Sequence, residues 1–231
     1  MASNLALLED AAHKLESLLG EVVFVGGATL DLLITDQGAA PTRSTFDVDV
    51  IVEVTTYPDY VLFSDRLRTL GFSEDVRPGA PLCRWLHGDL TLDAMPLDAG
   101  VLRFSNRWYR DALNAAQPVR LPSGTTIRVI TAPLFLGTKM EAFRGRGHRD
   151  LFGSHDLEDF ISVLDGRETI LGEVASAPVD LRAYLAQAAE ELLAEPRFRD
   201  ALPGFLPGDA ISQQRIPLLL RRLQELAMES R

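Results

Sequence analysis

In the run Arg43-Ser44-Thr45-Phe46-Asp47-Val48-Asp49-Val50-Ile51-Val52-Glu53-Val54, apolar and acidic residues alternate from Phe46 to Val54, broken only at Ile51. Side chains on a β-strand point to opposite faces in turn, so a period of two predicts a strand rather than a helix. Phe46, Val48, Val50, Val52 and Val54 then share one apolar face, expected to lie in the core. Asp47 and Asp49 share the other face, with Ile51 and Glu53 beyond them. Asp is a poor strand former, so the pair needs a reason. Carboxylates at i and i+2 are roughly 7 Å apart along the backbone, and their side chains can converge on one divalent cation. The same pattern also suits an edge strand with a solvated polar face. An EF-hand is excluded, because its Gly and distal bidentate Glu are missing and the context is a strand.

A third acid narrows the choice. In Leu90-Thr91-Leu92-Asp93-Ala94-Met95-Pro96, Leu90, Leu92 and Ala94 share one face, while Thr91, Asp93 and Met95 share the other. If this strand neighbours the first, three carboxylates meet on one sheet surface. That arrangement suits one or two Mg2+ ions, hard cations that take oxygen ligands. Upstream, Val22-Val23-Phe24-Val25 reads as a short buried strand ending at Gly26-Gly27, with a helix over 28–34. Two glycines let backbone approach a phosphate, and a helix N-terminus favours an anion. A Gly-Gly pair is equally an ordinary tight turn. It is neither a P-loop nor a dinucleotide fingerprint.

The remaining pattern is mixed at the front and helical at the back. Helices are expected over 5–19, capped by Ser3 or Asn4, and over 58–72. Hairpins are expected around Gly88-Asp89, with a two-residue turn, and around Ser123-Gly124. From Pro133 onward the helical segments are 132–147, 154–166 with Ser154 as N-cap and Gly166 as stop, 178–195 and 216–230. The composition shift near 132 separates an α/β front, 1–132, from a helical back, 133–231.

Totals bound the function. The chain has 231 residues, long enough for a sizeable core, and 46% hydrophobic and 24% charged residues, an ordinary globular balance. A net charge of −10 argues against broad nucleic-acid binding. The middle differs: from Arg84 to Asp150 ten basic residues face six acidic ones, a local +4 that would suit a polyanion or a scattered solvated surface. The single cysteine, Cys83, cannot form an internal disulfide, so a cytoplasmic setting is expected. The N-terminal segment lacks the pattern of a signal peptide, and no apolar run approaches a membrane span.

The ordered set Gly26-Gly27, Asp47-x-Asp49 and Asp93 resembles the nucleotidyltransferase superfamily of the DNA polymerase β type. Lys139 in TKMEAF and Asp156 in SHDLEDFISVLDGR, with VGGATLDLL, RSTFDVDV, LDAMPLD and FSNRWY, resemble nucleotidyltransferases of the AbiEii/AbiGii toxin type. The resemblance covers roughly residues 20–170 and implies an α+β fold. A mixed sheet flanked by helices would be followed by a C-terminal helical region contributing to the active site. It implies NMP transfer from an NTP to an acceptor hydroxyl with two Mg2+ ions, the acceptor being tRNA, a protein hydroxyl or a small molecule. It also implies an antitoxin protein as partner and no membrane association. Asp47, Asp49 and Asp93 would bind metal and catalyse, and Gly26, Gly27, Arg43, Ser44 and Thr45 would contact the nucleotide phosphates. Lys139 would meet the triphosphate and Asp156 would orient its neighbours. The spacing from Lys139 departs from the family, so Asp150 competes with Asp156 for the late acid. Arg43, Lys139, Arg144, Arg146 and Arg149 would balance phosphate charge, or the last three form a solvated helix end.

Two other readings stand beside this one. His155-Asp156, with Asp165 downstream, has the wording of a metal-dependent HD phosphohydrolase, but that reading leaves the strand acids unexplained. A protein of the same fold that binds a nucleotide or partner without catalysis is the non-enzyme alternative. Trp85, Trp108 and Tyr109 would then form a stacking surface, or FSNRWY is simply packing.

Overall fold

A computed structural model describes residues 3–145 and 150–228. By its contacts the chain divides into two compact units, Met1–Asp31 with Arg43–Thr131, and Leu32–Thr42 with Ala132–Arg231. Leu32–Thr42, which precedes residue 132 in the chain, therefore counts with the helical unit.

The first unit is built on a mixed seven-stranded sheet. Its strands are β1 (Val22–Val25), β2 (Asp47–Val52), β3 (Ser73–Glu74), β4 (Arg84–His87), β5 (Leu90–Pro96), β6 (Gln117–Arg120) and β7 (Thr126–Val129), in the order β3-β4-β5-β2-β1-β7-β6. The β2–β5 and β1–β7 pairs are parallel, and the other neighbours run antiparallel. Every residue of β1 is buried, as expected of a central strand covered on both faces. Val48, Val50 and Val52 of β2 and Leu92 and Ala94 of β5 are fully buried, so the predicted apolar faces do pack. Burying such a side chain contributes about 1.5–3 kcal/mol. Phe46 does not follow them: it is 75% exposed. The strand starts at Asp47, so Phe46 sits in the lead-in, where no ladder holds it to the alternation.

Helices of this unit are α1 (Asn4–Lys14), α3 (Tyr57–Thr69), α4 (Ala99–Leu102) and α5 (Tyr109–Ala115), while α2 (Leu30–Leu33) spans the step into the second unit. Ser3, of the two candidate caps, accepts the Ala6 N–H at 3.2 Å. Both predicted hairpins are present, β4–β5 and β6–β7, with Gly88 at φ +58° and Gly124 at φ +92° in their turns. A positive φ is cheap only for glycine. The segments β3, α4 and α5 were not predicted; each is too short to show a period.

The second unit is helical: α6 (Ala132–Gly145), α7 (His155–Gly166), α8 (Ile170–Ala175), α9 (Val179–Ala194), α10 (Pro196–Ala201), α11 (Ala210–Gln213) and α12 (Ile216–Met228). Its core holds Phe135, Phe160, Leu185, Leu219 and Leu223. Ser154 caps α7 by accepting the Leu157 N–H at 3.3 Å. The ends predicted at 147 and 230 lie outside the described residues. Gly166 closes α7, but its absent side chain serves packing. A Cβ there would come within 2.8 Å of Ile34 Cγ2 and 3.1 Å of Ala39 Cβ. The Thr35 and Asp36 N–H groups both donate to the Gly166 carbonyl at 2.9 Å. Arg215 then joins Asp165 and Asp36, each at 2.7 Å, so the 32–42 segment is stapled to the end of α7.

Candidate active site

The sheet register brings the strand acids together. Asp49 lies opposite Asp93 in the β2–β5 pair, and Asp47 lies opposite Thr91. Asp49 is also opposite Val25 of β1, and Asp93 is opposite Arg84 of β4. A single row, Val25–Asp49–Asp93–Arg84, therefore crosses the middle of the sheet. The two acidic strands are neighbours, the condition under which their carboxylates share one sheet surface.

Gly26 follows Val25 at the end of this row with φ +70° and ψ −171°. A Cβ at Gly26 would stand 1.8 Å from Asp49 Oδ2. The missing side chain is thus the space that the Asp49 carboxylate fills. Gly27 opens a 3-10 turn, Gly27–Thr29, and Thr29 Oγ1 donates to the Gly26 carbonyl at 2.8 Å.

The Arg43–Thr45 lip is held by a residue the sequence reading named only as a possible cap. Asn4 is buried; its Nδ2 donates to the Arg43 carbonyl at 3.0 Å and its Oδ1 accepts the Thr45 N–H at 3.1 Å. Thr45 Oγ1 in turn donates to Asp47 Oδ1 at 2.8 Å. Ser44 is exposed between them. One side-chain amide thereby fixes the backbone on both sides of Ser44.

Arg84 was missed as a site residue. Its Nε and one terminal nitrogen donate to Asp93 Oδ1 and Oδ2 at 2.8 and 2.7 Å, a two-pronged fork. The same terminal nitrogen donates to Asp47 Oδ2 at 3.0 Å. The Asp93 hydrogen bonds raise the Arg84 pKa above its already high ordinary value, so its charge is permanent. A two-residue turn after His87 pairs His87 with Leu90, and counting outward pairs Arg84 with Asp93. The sequence therefore carried the signal in its Gly88-Asp89 turn. Next to Arg84, the buried Cys83 thiol is pushed up to about 12, first by burial and then by Asp93 and Asp49. It stays a neutral thiol near neutral pH and is a poor metal ligand.

Lys139 and Asp156 meet in the second unit, 3.3 Å apart. Lys139 is buried and lies closer, at 2.6 Å, to Asp159, which is fully buried. Asp159 was not singled out in the sequence; its place three residues after Asp156 on α7 puts both on one helical face. Asp150 turns to its own loop, accepting the Phe152 and Gly153 N–H groups at 3.0 and 3.2 Å. Asp156, of the two candidates for the late acid, is the one beside Lys139. Arg144 pairs with Glu191 at 2.9 Å and covers the Tyr184 ring at 4.6 Å. Arg146 and Arg149 lie outside the described residues. His155 is on the exposed first turn of α7, 3.1 Å from Glu158. Trp85, Trp108 and Tyr109 are all buried, so they pack rather than offer an open stacking face.

The donor set suits a hard divalent cation in chemistry and register: three carboxylates, with Asp49 and Asp93 opposite each other and Gly26 leaving room for the Asp49 oxygens. Among the described residues, however, no three His, Cys, Asp or Glu side chains converge as a ready metal cage. The Arg84 guanidinium lies between Asp47 and Asp93.

No protein-family model and no curated protein matches the chain. Among solved structures, it is similar to an antigenic nucleotidyltransferase-like protein from Paracoccidioides brasiliensis. The identity is 18%, over 87% of this chain and 93% of that one, with a TM-score of 0.46. It is also similar to JHP933 from Helicobacter pylori, at 15% identity over 100% of this chain and 91% of that one, with a TM-score of 0.47. These are likenesses of general chain path, and the functional reading rests on the site's own residues. No helix among the described residues is long and apolar enough to cross a membrane.

Proposed function

We propose that the protein is a Mg2+-dependent nucleotidyltransferase that moves NMP from an NTP to an acceptor hydroxyl. The observation that carries this reading is the row of Asp49 opposite Asp93, with Asp47 two residues away and Gly26 shaped around Asp49. Asp47, Asp49 and Asp93 would hold the metal. When bound, it would supply charge neutralisation at the attacking and leaving oxygens.

The chain's own residues prepare the rest. Asn4 fixes the Arg43–Thr45 lip, which with Gly26 and Gly27 offers backbone and hydroxyl groups to the phosphates. Thr45 holds the Asp47 carboxylate in one rotamer. In the transfer, the bond from the acceptor oxygen to the α-phosphorus forms and the bond from that phosphorus to the pyrophosphate oxygen breaks. Pyrophosphate leaves, and the acceptor proton would pass to the Asp93 carboxylate once Arg84 has released one of its oxygens. Within the helical unit Lys139 pairs with both Asp156 and Asp159.

The finer reading is a cytoplasmic toxin of the AbiEii/AbiGii type acting on RNA or a small molecule, with a protein antitoxin. Its support is the joint wording of the motifs. Growth arrest on expression, lost with Asp47→Ala, tests it; harmless expression of the wild type sinks it. The enzyme reading is tested by incubating the protein with each labelled NTP, Mg2+ and a panel of RNA and small-molecule acceptors, beside Asp49→Ala. Label transfer by the wild type alone supports it. The alternative, a silent nucleotide- or partner-binding protein, is favoured by the Arg84 pairing with two of the three acids, and an absence of transfer with retained NTP binding would establish it.

A further inference from the structure

Arg84 is a cation of the protein's own, placed among carboxylates that would otherwise repel one another. It bonds both oxygens of Asp93 and one of Asp47 at 2.7–3.0 Å. Those are lone pairs that a divalent ion coordinating the same acids would need. A guanidinium cannot lose its proton near neutral pH, so it cannot yield by neutralising; it yields only by moving. Its backbone cannot move far, because β4 is locked to β5 from Arg84 to His87. Its side chain can: 24% of its surface reaches solvent, against 10% for Asp93.

We propose that Arg84 is a built-in competitor for the divalent cation, a gate that pairs Asp47 and Asp93 and must swing away before they can ligate metal. This rests on the reading that the three acids bind a divalent ion. The gate has two effects of opposite sign. It relieves repulsion among the acids, which steadies the sheet centre. It also weakens metal binding by occupying ligand positions and by adding a positive charge a few ångströms from the ion. A protein of this design commits its acids to metal only when a further ligand, such as a nucleotide polyphosphate, shifts the balance. A purely structural ion pair would have the first effect without the second.

The experiment measures Mn2+ binding directly, by electron paramagnetic resonance of the free ion and by calorimetry, without nucleotide. The full-length wild type, Arg84→Gln and Arg84→Lys are compared. Arg84→Gln is expected to bind Mn2+ at least about tenfold more tightly than wild type, since one charge and three competing hydrogen bonds are gone. Arg84→Lys keeps the charge but loses the fork, and is expected to fall between them. Without metal Arg84→Gln is expected to melt lower than wild type, and to gain more from added Mn2+. If Arg84→Gln fails to fold, the Arg84→Lys affinity carries the test, with a gain of about threefold or more expected. If neither variant binds Mn2+ more tightly than wild type, the gate is overturned while the metal reading stays intact. Absence of Mn2+ binding in every folded protein overturns both.

Discussion

Replacing Gly26 with alanine is the sharpest test of the site's geometry. The new Cβ would stand 1.8 Å from Asp49 Oδ2, 2.6 Å from Cγ and 2.9 Å from Cβ. Rotating the carboxylate relieves the first two contacts but not the third. Asp49 Cβ is anchored to β2, which is paired on both sides, by β1 and β5. Gly26 also has φ +70° and ψ −171°, a region essentially reserved for glycine, where a side chain costs about 1–3 kcal/mol. Overpacking adds about 1–3 kcal/mol, for a total of about 2–6 kcal/mol. At roughly 2–4 °C per kcal/mol for a chain of this size, the melting temperature should fall by about 4–24 °C. Gly20→Ala is the control, because nothing lies within 4 Å of its added Cβ. Circular dichroism melts of the three proteins, with label transfer from NTP measured at a temperature where all are folded, form the assay. A Gly26→Ala protein that melts within about 2 °C of the control refutes the claim that Asp49 rests against Gly26. Transfer retained at the wild-type rate refutes the claim that Asp49's position there matters to chemistry.

Two further outcomes test the supporting structure. Lys139→Met removes the ammonium 2.6 Å from the fully buried Asp159, and urea denaturation should show a loss of about 3–5 kcal/mol, most of it regained in Lys139→Met/Asp159→Leu. A loss below about 1 kcal/mol would mean the pair is not buried as described. The melting temperature should hold from neutral pH to about 5 and fall below about 4, because Arg66, Arg215 and Arg77 hold the carboxyls of Glu21, Asp36 and Asp75 below their ordinary values, Asp75 to about 2. A lowered folded pKa gives stability that is present above the unfolded value and lost as pH falls through the folded one. Burial raises Asp165, which works in the opposite direction. A melting temperature that rises from pH 5 to 3 would show that the lowered carboxyls, Asp209 among them, do not dominate.

Much of the sheet could be read from the chain because a period of two is visible in single residues. Val48, Val50 and Val52 are buried where the alternation put them, and Asp47, Asp49 and Asp93 share the surface it assigned. Phe46 shows where periodicity stops being informative: alternation in sequence can outrun the ladder that enforces it. Arg84 was legible in principle, since a two-residue turn sets the pairing of its hairpin, yet a lone Arg in an apolar strand invites no such count. Asn4 and Asp159 were not legible. Their partners are distant in sequence or buried, and a buried polar residue announces itself only through the groups that satisfy it. The use of Gly26 follows from β1–β2 register, which no local pattern records.

The packing of Gly166 against Ile34 and Ala39 has a consequence for dissecting the protein. The polypeptide passes from one unit to the other after Asp31, back after Thr42, and over again after Thr131. The helical unit is therefore not a C-terminal appendage that a single protease cut could release whole. A fragment starting at Ala132 would leave behind the segment that Arg215 and the Gly166 carbonyl hold, exposing the apolar notch at the end of α7. Such a fragment should be prone to aggregation, and supplying residues 32–42 as a separate peptide should restore its solubility.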